Sequence, residues 1–474
     1  MTFGIVRDVT FEQAPKMKIT RAFKVELDPN NVQRTAMLKH CGAARFAYNW
    51  GLARKKAQRD AGAKQSGAFQ LSADLRKVID VEFPWMREVS SRCREGALDN
   101  LDIAYKNFFA RCKKGKTGKA TGFPQFKSRK NGLGGFVDRN YTVEANHVRL
   151  TRIGRVRLKE SGYIPLGGYT KNTESVRFYG ARVTERAGRW YLAVQVEIET
   201  PEPRPGKGVV GVDAGIKCLA TCSDGLEFQN PKATARFQKK LRRQQRAMSR
   251  KFETAKREGR PLRECKNFQK DSRRVAIIHA KISNLRTHHL HHASHVITRK
   301  SSVIGVESLN VSGMMKNRRL AKAVADASMS ELLRQIQYKA LRRGGTVIAA
   351  SRWFASSKMC NGCGAINAEL RLSQRAWTCG CGARNLRDMN AANNLRDLAA
   401  NQAVSACGGE GSGKLATVCE TNPIEAGIEQ GALLAYQSQI PGEPGHLPKR
   451  VKPIRNAQYG KSTTAAVTLT LPFL

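Results

Sequence analysis

Apolar and polar residues alternate along "KITRAFKVELD" (residues 18–28), the period of a half-buried strand, and Pro29 stops the run. From about residue 31 to 112 the period lengthens to three and four. "AARFAYNWGLARKKAQ" (43–58) and "LDNLDIAYKNFFARCKK" (98–114) set apolar residues on one helical face and basic ones on the other. Phe46, Tyr48, Trp50 and Tyr105 lie in these helices, and their helical spacing places them in the core rather than against a base. "KKGKTGKATGFPQFKSRKNGLGG" (113–135) is a glycine- and lysine-rich loop suited to phosphate contact. Short strands return over residues 134–200: "HVRLTRIGRVRL" (147–158), "SVRFYGARVTER" (175–186) and "GRWYLAVQVEIE" (188–199), separated by turn residues, predict a small β-barrel. "TPEPRPGKG" (200–208) then reads as a linker.

Beyond the linker, Val209, Val210 and Val212 form an apolar strand that Asp213 interrupts. The chain turns at Gly215 into a second strand-like run, so Gly215 to Gly225 reads as a hairpin. "SSVIGVESLN" (301–310) is another short apolar strand, with Glu307 at its C-terminal end. "NLRDMNAANNLRDLAANQ" (385–402) has the period of a helix whose buried face carries Ala391, Ala392, Leu395, Leu398 and Ala399; Asp388 falls on that face at the helix start. A carboxylate in an apolar strand is unfavourable unless something pairs with it. Strand and hairpin, strand, then helix, each delivering one acid, is the way an RNase H-like fold builds a metal site. Hard divalent cations take oxygen ligands, and two of them about 3.5–4 Å apart clamp the attacking and leaving oxygens of a phosphodiester. Plainer alternatives exist for each acid. Asp388 could favour the dipole of a helix capped by Asn385, and Glu307 could close a strand at the surface. Asp213 is hardest to explain that way, and the three in this order favour the metal site.

Charge changes the picture most. In 474 residues there are 83 Lys+Arg against 38 Asp+Glu, a net charge of +45. Such a chain repels itself unless it meets a polyanion, and nucleic acid is the obvious one. Residues 235–300 hold 20 Lys/Arg, four Asp/Glu and six His, so this helical segment and the loop 113–130 are the candidate contact surfaces. The remainder from 401 to 474 has six Lys/Arg and five Asp/Glu and is rich in Gly, Pro, Ser and Thr; it is expected to be poorly ordered. No long apolar segment suggests a membrane, and "MTFGIVRDVTFEQAPKMK" lacks the apolar core of a signal peptide, which points to a cytoplasmic protein. Met17 stands just before the first strand, so Met1 and Met17 both stay open as the start, residues 1–16 being an upstream extension in the second case.

Four of the 12 cysteines crowd into "CNGCGAINAELRLSQRAWTCGCG": Cys360 and Cys363 as C-x2-C, Cys379 and Cys381 as C-x-C, with fifteen residues between the pairs. That is close to the spacing of a four-thiolate zinc ribbon, and Gly364 and Gly382 suit the tight turns around such a metal. The one-residue gap of the second pair narrows its bite. Four closed ligands make the site structural.

These pieces resemble the TnpB family, RNA-guided nucleases encoded by bacterial insertion sequences and related to type V CRISPR effectors. The resemblance runs from about residue 18 to 400. It rests on "RFAYNWGLA" (45–53), "FPWMREVSS" (83–91), "ALDNLDIAYKNFF" (97–109), "GFPQFKSR" (122–129) and "GRWYLAVQVE" (188–197), and most specifically on "VGVDAGIKCLAT" (210–221), "GVESLNVSGMMKN" (305–317) and "LRDMNAANNL" (386–395). It implies a multidomain α+β protein. A wedge-type β-barrel (1–30 and 119–203) is interrupted by a helical recognition domain (31–118). A RuvC-like nuclease domain (207–355 and 383–400) is interrupted by a zinc ribbon (356–382), and a tail follows (401–474). It further implies Mg²⁺-dependent cutting of double-stranded target DNA at Asp213, Glu307 and Asp388, beside a short motif, directed by a guide RNA made from the element's own end. The family usually has C-x-x-C where this chain has "CGC". Two other readings stay open: an RNA-guided DNA-binding repressor that does not cut, and a compact type V CRISPR effector. A DNA-strand transposase is disfavoured, because no histidine pair with a tyrosine nucleophile is evident.

Overall fold

The computed structural model describes residues 16–129, 132, 134–168, 176–201, 205–371 and 373–407. Residues 1–15 and 408–474, including nearly all of the expected tail, lie outside the described residues. Strand β1 (Lys16–Asp28) leads into three helices, α1 (Asn31–Asp60), α2 (Ala68–Glu82) and α3 (Ser91–Lys113). Asn30 starts α1 with a reciprocal cap: its side chain accepts from the Gln33 N–H at 2.8 Å, and the Gln33 side chain accepts from the Asn30 N–H at 3.0 Å. Seven further strands follow: β2 (Gly135–Asp138), β3 (Thr142–Val143), β4 (His147–Leu150), β5 (Gly154–Leu158), β6 (Gly167–Gly168), β7 (Val176–Arg186) and β8 (Arg189–Pro201).

With β1 they form one antiparallel sheet in the order β2-β7-β8-β1-β5-β4-β3-β6. Its longest ladder pairs Lys16 to Leu27 of β1 with Pro201 to Trp190 of β8, so the first described strand is zipped to the last strand of this half. The apolar faces of the sheet and of α1 to α3 share one core, in which Tyr48 and Tyr105 are buried and Phe46 and Trp50 pack at the margin, as their spacing requires. The stretch 147–158 is not one strand but the hairpin β4–β5, because Arg152 (φ 60°) and Gly154 (φ 89°) turn the chain in its middle.

The second half is built on a five-stranded sheet. Strands β9 (Val209–Asp213), β10 (Cys218–Cys222) and β11 (Glu227–Gln229) form an antiparallel meander. Helices α4 (Ala233–Arg257) and α5 (Lys266–Lys300) pack on each other through Phe237, Leu241, Ile278, Ile282 and Leu285. The cations Arg242, Arg243, Arg246 and Arg250 on α4 are left exposed. Then come β12 (Val303–Glu307), α6 (Val311–Met314), α7 (Ala321–Ala327), α8 (Met329–Leu341) and β13 (Thr346–Ala350). A hairpin of β14 (Ala376–Thr378) and β15 (Arg384–Leu386) runs straight into α9 (Arg387–Cys407). The sheet order is β11-β10-β9-β12-β13, with β12 parallel to both β9 and β13. Among the described residues no helix is long and apolar enough to cross a membrane.

Both central strands, "VVGVD" and "VIGVE", are apolar up to their terminal acid, because both of their faces are covered. Val210, Val212, Ile304 and Val306 face Leu290, Ala293 and Ile297 of α5 and Leu332, Ile336 and Ala340 of α8. The opposite face presents Gly211 and Gly305, which are in register with each other. A Cβ on Gly211 would run into the Ala392 carbonyl oxygen of α9, and one on Gly305 into the Leu395 carbonyl oxygen. The absence of side chains at these two positions lets α9 lie with its backbone on the sheet, where Ala391, Ala392, Leu395 and Ala399 are buried. Two departures from the sequence reading occur at this helix. Asn385 belongs to β15 rather than capping the helix, and the helix runs on past residue 400 to Cys407.

Adding a methyl group at this contact should be tolerated poorly. Gly211→Ala is expected to destabilise the fold by about 1–3 kcal/mol or more. Gly42→Ala, in α1 with nothing within 4 Å of the added methyl, is expected to be neutral or stabilising. Thermal melting of the two purified variants checks this; equal melting temperatures would show that the close approach is not required.

Candidate active site and cysteine cluster

Side chains alternate across a strand, so Asp213 lies on the face of Gly211 and Glu307 on the face of Gly305, toward α9. The strands are parallel and paired to Val212 and Val306, so the two acids end adjacent strands side by side. On α9, Asp388 is the second residue, four before Ala392, the residue seated on Gly211. Four helical residues advance about 6 Å and two strand residues about 6.6 Å, so the helix start is brought to the end of the strands. Three carboxylates from three separate elements thus meet at the C-terminal edge of the sheet, where open α/β sheets hold ligands.

Their charges act on one another. Burial first, then the charges of Glu307 and Asp388, push the Asp213 carboxyl up to about 7, against the opposing pull of Arg387 and Arg375. The other two acids are held by hydrogen bonds. Buried Ser356 donates from Oγ to Glu307 Oε1. Arg375 donates from Nη1 to Asp388 Oδ1 at 3.1 Å. The carboxylates are therefore near one another but less tightly gathered than the cysteines described below. An all-oxygen donor set carrying excess negative charge fits a hard divalent cation.

Cys360, Cys363, Cys379 and Cys381 place their sulfur atoms all within 4.8 Å of one another. The missing residue of the second pair is absorbed by a shorter turn. Around the first pair, Cys360 N–H bonds the Ala365 carbonyl, five residues on; around the second, Cys379 N–H bonds the Ala383 carbonyl, four residues on. Gly364 (φ 76°) and Gly382 (φ 84°) supply the left-handed turn in each. Asn385 Nδ2 donates to Cys360 Sγ at 3.4 Å, and this bond leads the several that hold the Cys360 thiol below its usual value. Four sulfur donors at this separation fit a tetrahedral zinc ion.

Ser356 and Arg375 both lie in the cysteine-bearing segment, so it touches two of the three acids. Its cysteine spacing alone points to a purely structural role, and nothing local singles out either residue. Equally unforeseen is the face of α9 that grips the segment. Asn390 accepts from the Asn361 N–H at 3.0 Å and donates to the Met359 carbonyl at 2.7 Å. Asn394 donates to the Ser356 and Met359 carbonyls, both at 2.7 Å, and accepts from Asn361 Nδ2 at 3.1 Å. Asn361 Nδ2 also reaches Asp397 at 2.6 Å. Asn390, Asn394 and Asp397 follow the spacing i, i+4, i+7, a second stripe beside the apolar one. That spacing was a readable signal, as was the shared form of "VVGVD" and "VIGVE".

Asn394→Ala would strip the Ser356 carbonyl of its side-chain donor and leave the Met359 carbonyl only Asn390 and the Asn361 amide only Asp397, a loss of about 1–3 kcal/mol. It is expected to lower the melting temperature and to speed zinc loss to a competing chelator. Asn393→Ala, one residue away and only partly buried, should change neither.

The chain is similar to known proteins over most of its length. The OrfB family of IS605-type elements, described as "Probable transposase", matches residues 193–318; a Cas12f1-like TNB domain matches 330–395. A family described as a helix-turn-helix domain matches residues 17–64, which here are β1 and the single helix α1. A Streptomyces pristinaespiralis protein named as an RNA-guided DNA endonuclease is 33% identical, across 82% of this chain and 92% of its own. InsQ of Escherichia coli K12, named likewise, is 32% identical across 83% and 95%. A Cas12f1–sgRNA–target DNA complex covers 80% of this chain and 99% of its own at 15% identity, but its TM-score of 0.29 is too low to bear on the fold. With a third of its residues shared along nearly the whole length of a relative, the chain belongs to the OrfB family of IS605-type insertion sequences, the TnpB family that its motifs resemble.

Proposed function

We propose that the chain is the RNA-guided DNA endonuclease of a transposable element, cutting double-stranded target DNA next to a short motif. The observation that carries this is the meeting of Asp213, Glu307 and Asp388 at one edge of a sheet ordered β11-β10-β9-β12-β13, with α9 laid across it. Such an order, with acids on the adjacent strands β9 and β12 and on the closing helix, supports an RNase H-like, RuvC-type nuclease domain over 207–355 and 383–400. The sulfur cluster supports reading 356–382 as a zinc ribbon inserted into it. The antiparallel sheet and the helices between its strands support a wedge-type barrel over 1–30 and 119–203 around a recognition domain over 31–118.

Asp213, Glu307 and Asp388 would hold Mg²⁺. A divalent cation there supplies Lewis acidity at the phosphodiester and a water activated for attack. The chain's own residues do the rest. Ser356 fixes the rotamer of Glu307, and Arg375, now on Asp388, and Arg387 bring positive charge to where a phosphate must sit. The exposed cations of α4 and of residues 113–129 are suited to the phosphates of a guide scaffold and its DNA hybrid, where pairing reads sequence and protein holds backbone.

The test is to purify the protein with its copurifying RNA and to challenge it with matched duplex in Mg²⁺. Sequencing should return RNA that ends in the element's own terminus; repeat-spacer RNA would indicate a CRISPR effector instead. The parent should cut, and Asp213→Ala, Glu307→Ala and Asp388→Ala should each lose cutting almost completely while still binding target. Parent protein that binds matched DNA at every Mg²⁺ concentration without cutting would favour the repressor reading. Asp213→Asn removes one of three converging charges, so it should abolish cutting yet raise the melting temperature of the metal-free protein by a few degrees.

A further inference from the structure

Trp353 is 88% exposed, an unusual state for so large an apolar side chain. It stands in the short segment between β13 and the first cysteine, and both ends of that segment are tied to Glu307 or its neighbour. Ala350, the last residue of β13, is in register with Glu307, and its carbonyl accepts from Ser308 Oγ at 2.7 Å. Ser356 donates to the Glu307 carboxylate, while its own carbonyl accepts from Asn394 at 2.7 Å. Between these anchors the Phe354 N–H bonds the Ser351 carbonyl at 3.1 Å, and the Ser356 N–H bonds the Phe354 carbonyl at 2.9 Å. Trp353 is thus three residues from each anchor, on a braced loop. Its ring is accompanied by exposed Arg352, whose guanidinium carbon lies 5.7 Å from the ring centroid. Phe69, equally exposed at 89%, has no cation against its ring among the described residues and lies in the other half of the chain.

We propose that Trp353 and Arg352 form the seat for the unpaired DNA strand about to be cut. In this inference, which rests on the nuclease reading, the indole stacks on a base beside the scissile phosphodiester and Arg352 meets a neighbouring phosphate. Aromatic rings flanked by cations are the usual means of holding single strands without regard to sequence, which an enzyme directed by a guide requires. A base can stack on Trp353 only when it has left its duplex, so the occupant is a displaced single strand. It is a DNA strand rather than the guide, because a guide held this close to the carboxylates would lie in the path of cleavage.

The experiment uses the full chain bound to its guide RNA. Loss of one base–ring stack predicts that Trp353→Ala lowers the single-turnover cleavage rate roughly 5- to 150-fold. Guide content and affinity for matched target should stay unchanged, and Trp353→Phe should keep most of the rate. In an Asp213→Ala background, where the strand stays whole, 2-aminopurine in the scissile strand should be quenched with Trp353 present and brighten with Trp353→Ala. Trp353→Ala protein that cuts at the parental rate, or fluorescence that ignores the substitution, would overturn the proposal. Loss of guide RNA from Trp353→Ala would overturn it too, making the guide the occupant. If the parent complex itself fails to cut, the nuclease reading falls, and the fluorescence comparison still decides whether Trp353 seats a DNA strand.

Discussion

Everything in the second half of the molecule hangs on one backbone contact. Gly211 and Gly305, side by side on adjacent parallel strands, let α9 sit on the sheet closer than any side chain would allow. The spacing from glycine to acid is the same on both strands, two residues, so fixing the helix at the glycines also fixes where the acids end. The helix carries its own acid four residues before its seat. A close approach that looks like mere packing is therefore what sets the geometry of a charged cluster.

That cluster is at odds with stability. Three carboxylates at a half-buried edge repel one another, and the burden is plain in the raised proton affinity of Asp213. The fold meets it with Ser356 on Glu307 and Arg375 on Asp388, both from the cysteine-bearing segment. The segment is in turn clamped to α9 by Asn390 and Asn394. The cysteine cluster and the carboxylates, which look like independent sites in the sequence, share one helix and a continuous hydrogen-bond network. Strain at functional sites that surrounding structure compensates is a general pattern, and here the compensating residues can be named.

Much of this was legible from residues alone, for local reasons. Asp213 is conspicuous because its strand is otherwise apolar, and the cysteine pairs declare themselves by spacing. The basic segment 235–300 is legible from charge, and its division into α4 and α5 alters nothing in that reading. What escaped depends on contacts across the chain. Asn385 reads as a helix cap until β14 claims it as a partner, and Arg375 reads as one more surface cation until the hairpin delivers it to Asp388. Asn390 and Asn394 read as polar helix positions until the knuckle at Met359 and Asn361 packs on them. The hairpin within 147–158 is hard to read because its turn needs, besides Gly154, a left-handed Arg152, a residue with no such preference.

The proposed chemistry requires a divalent cation among the carboxylates gathered by the glycine contact. Anomalous scattering from crystals of the guide-bound protein soaked in Mn²⁺ tests it most directly. Manganese density is expected among Asp213, Glu307 and Asp388, with Arg375 displaced from Asp388, and separate zinc density among the four cysteine sulfurs. Manganese absent from the three acids while Arg375 stays on Asp388 would contradict it.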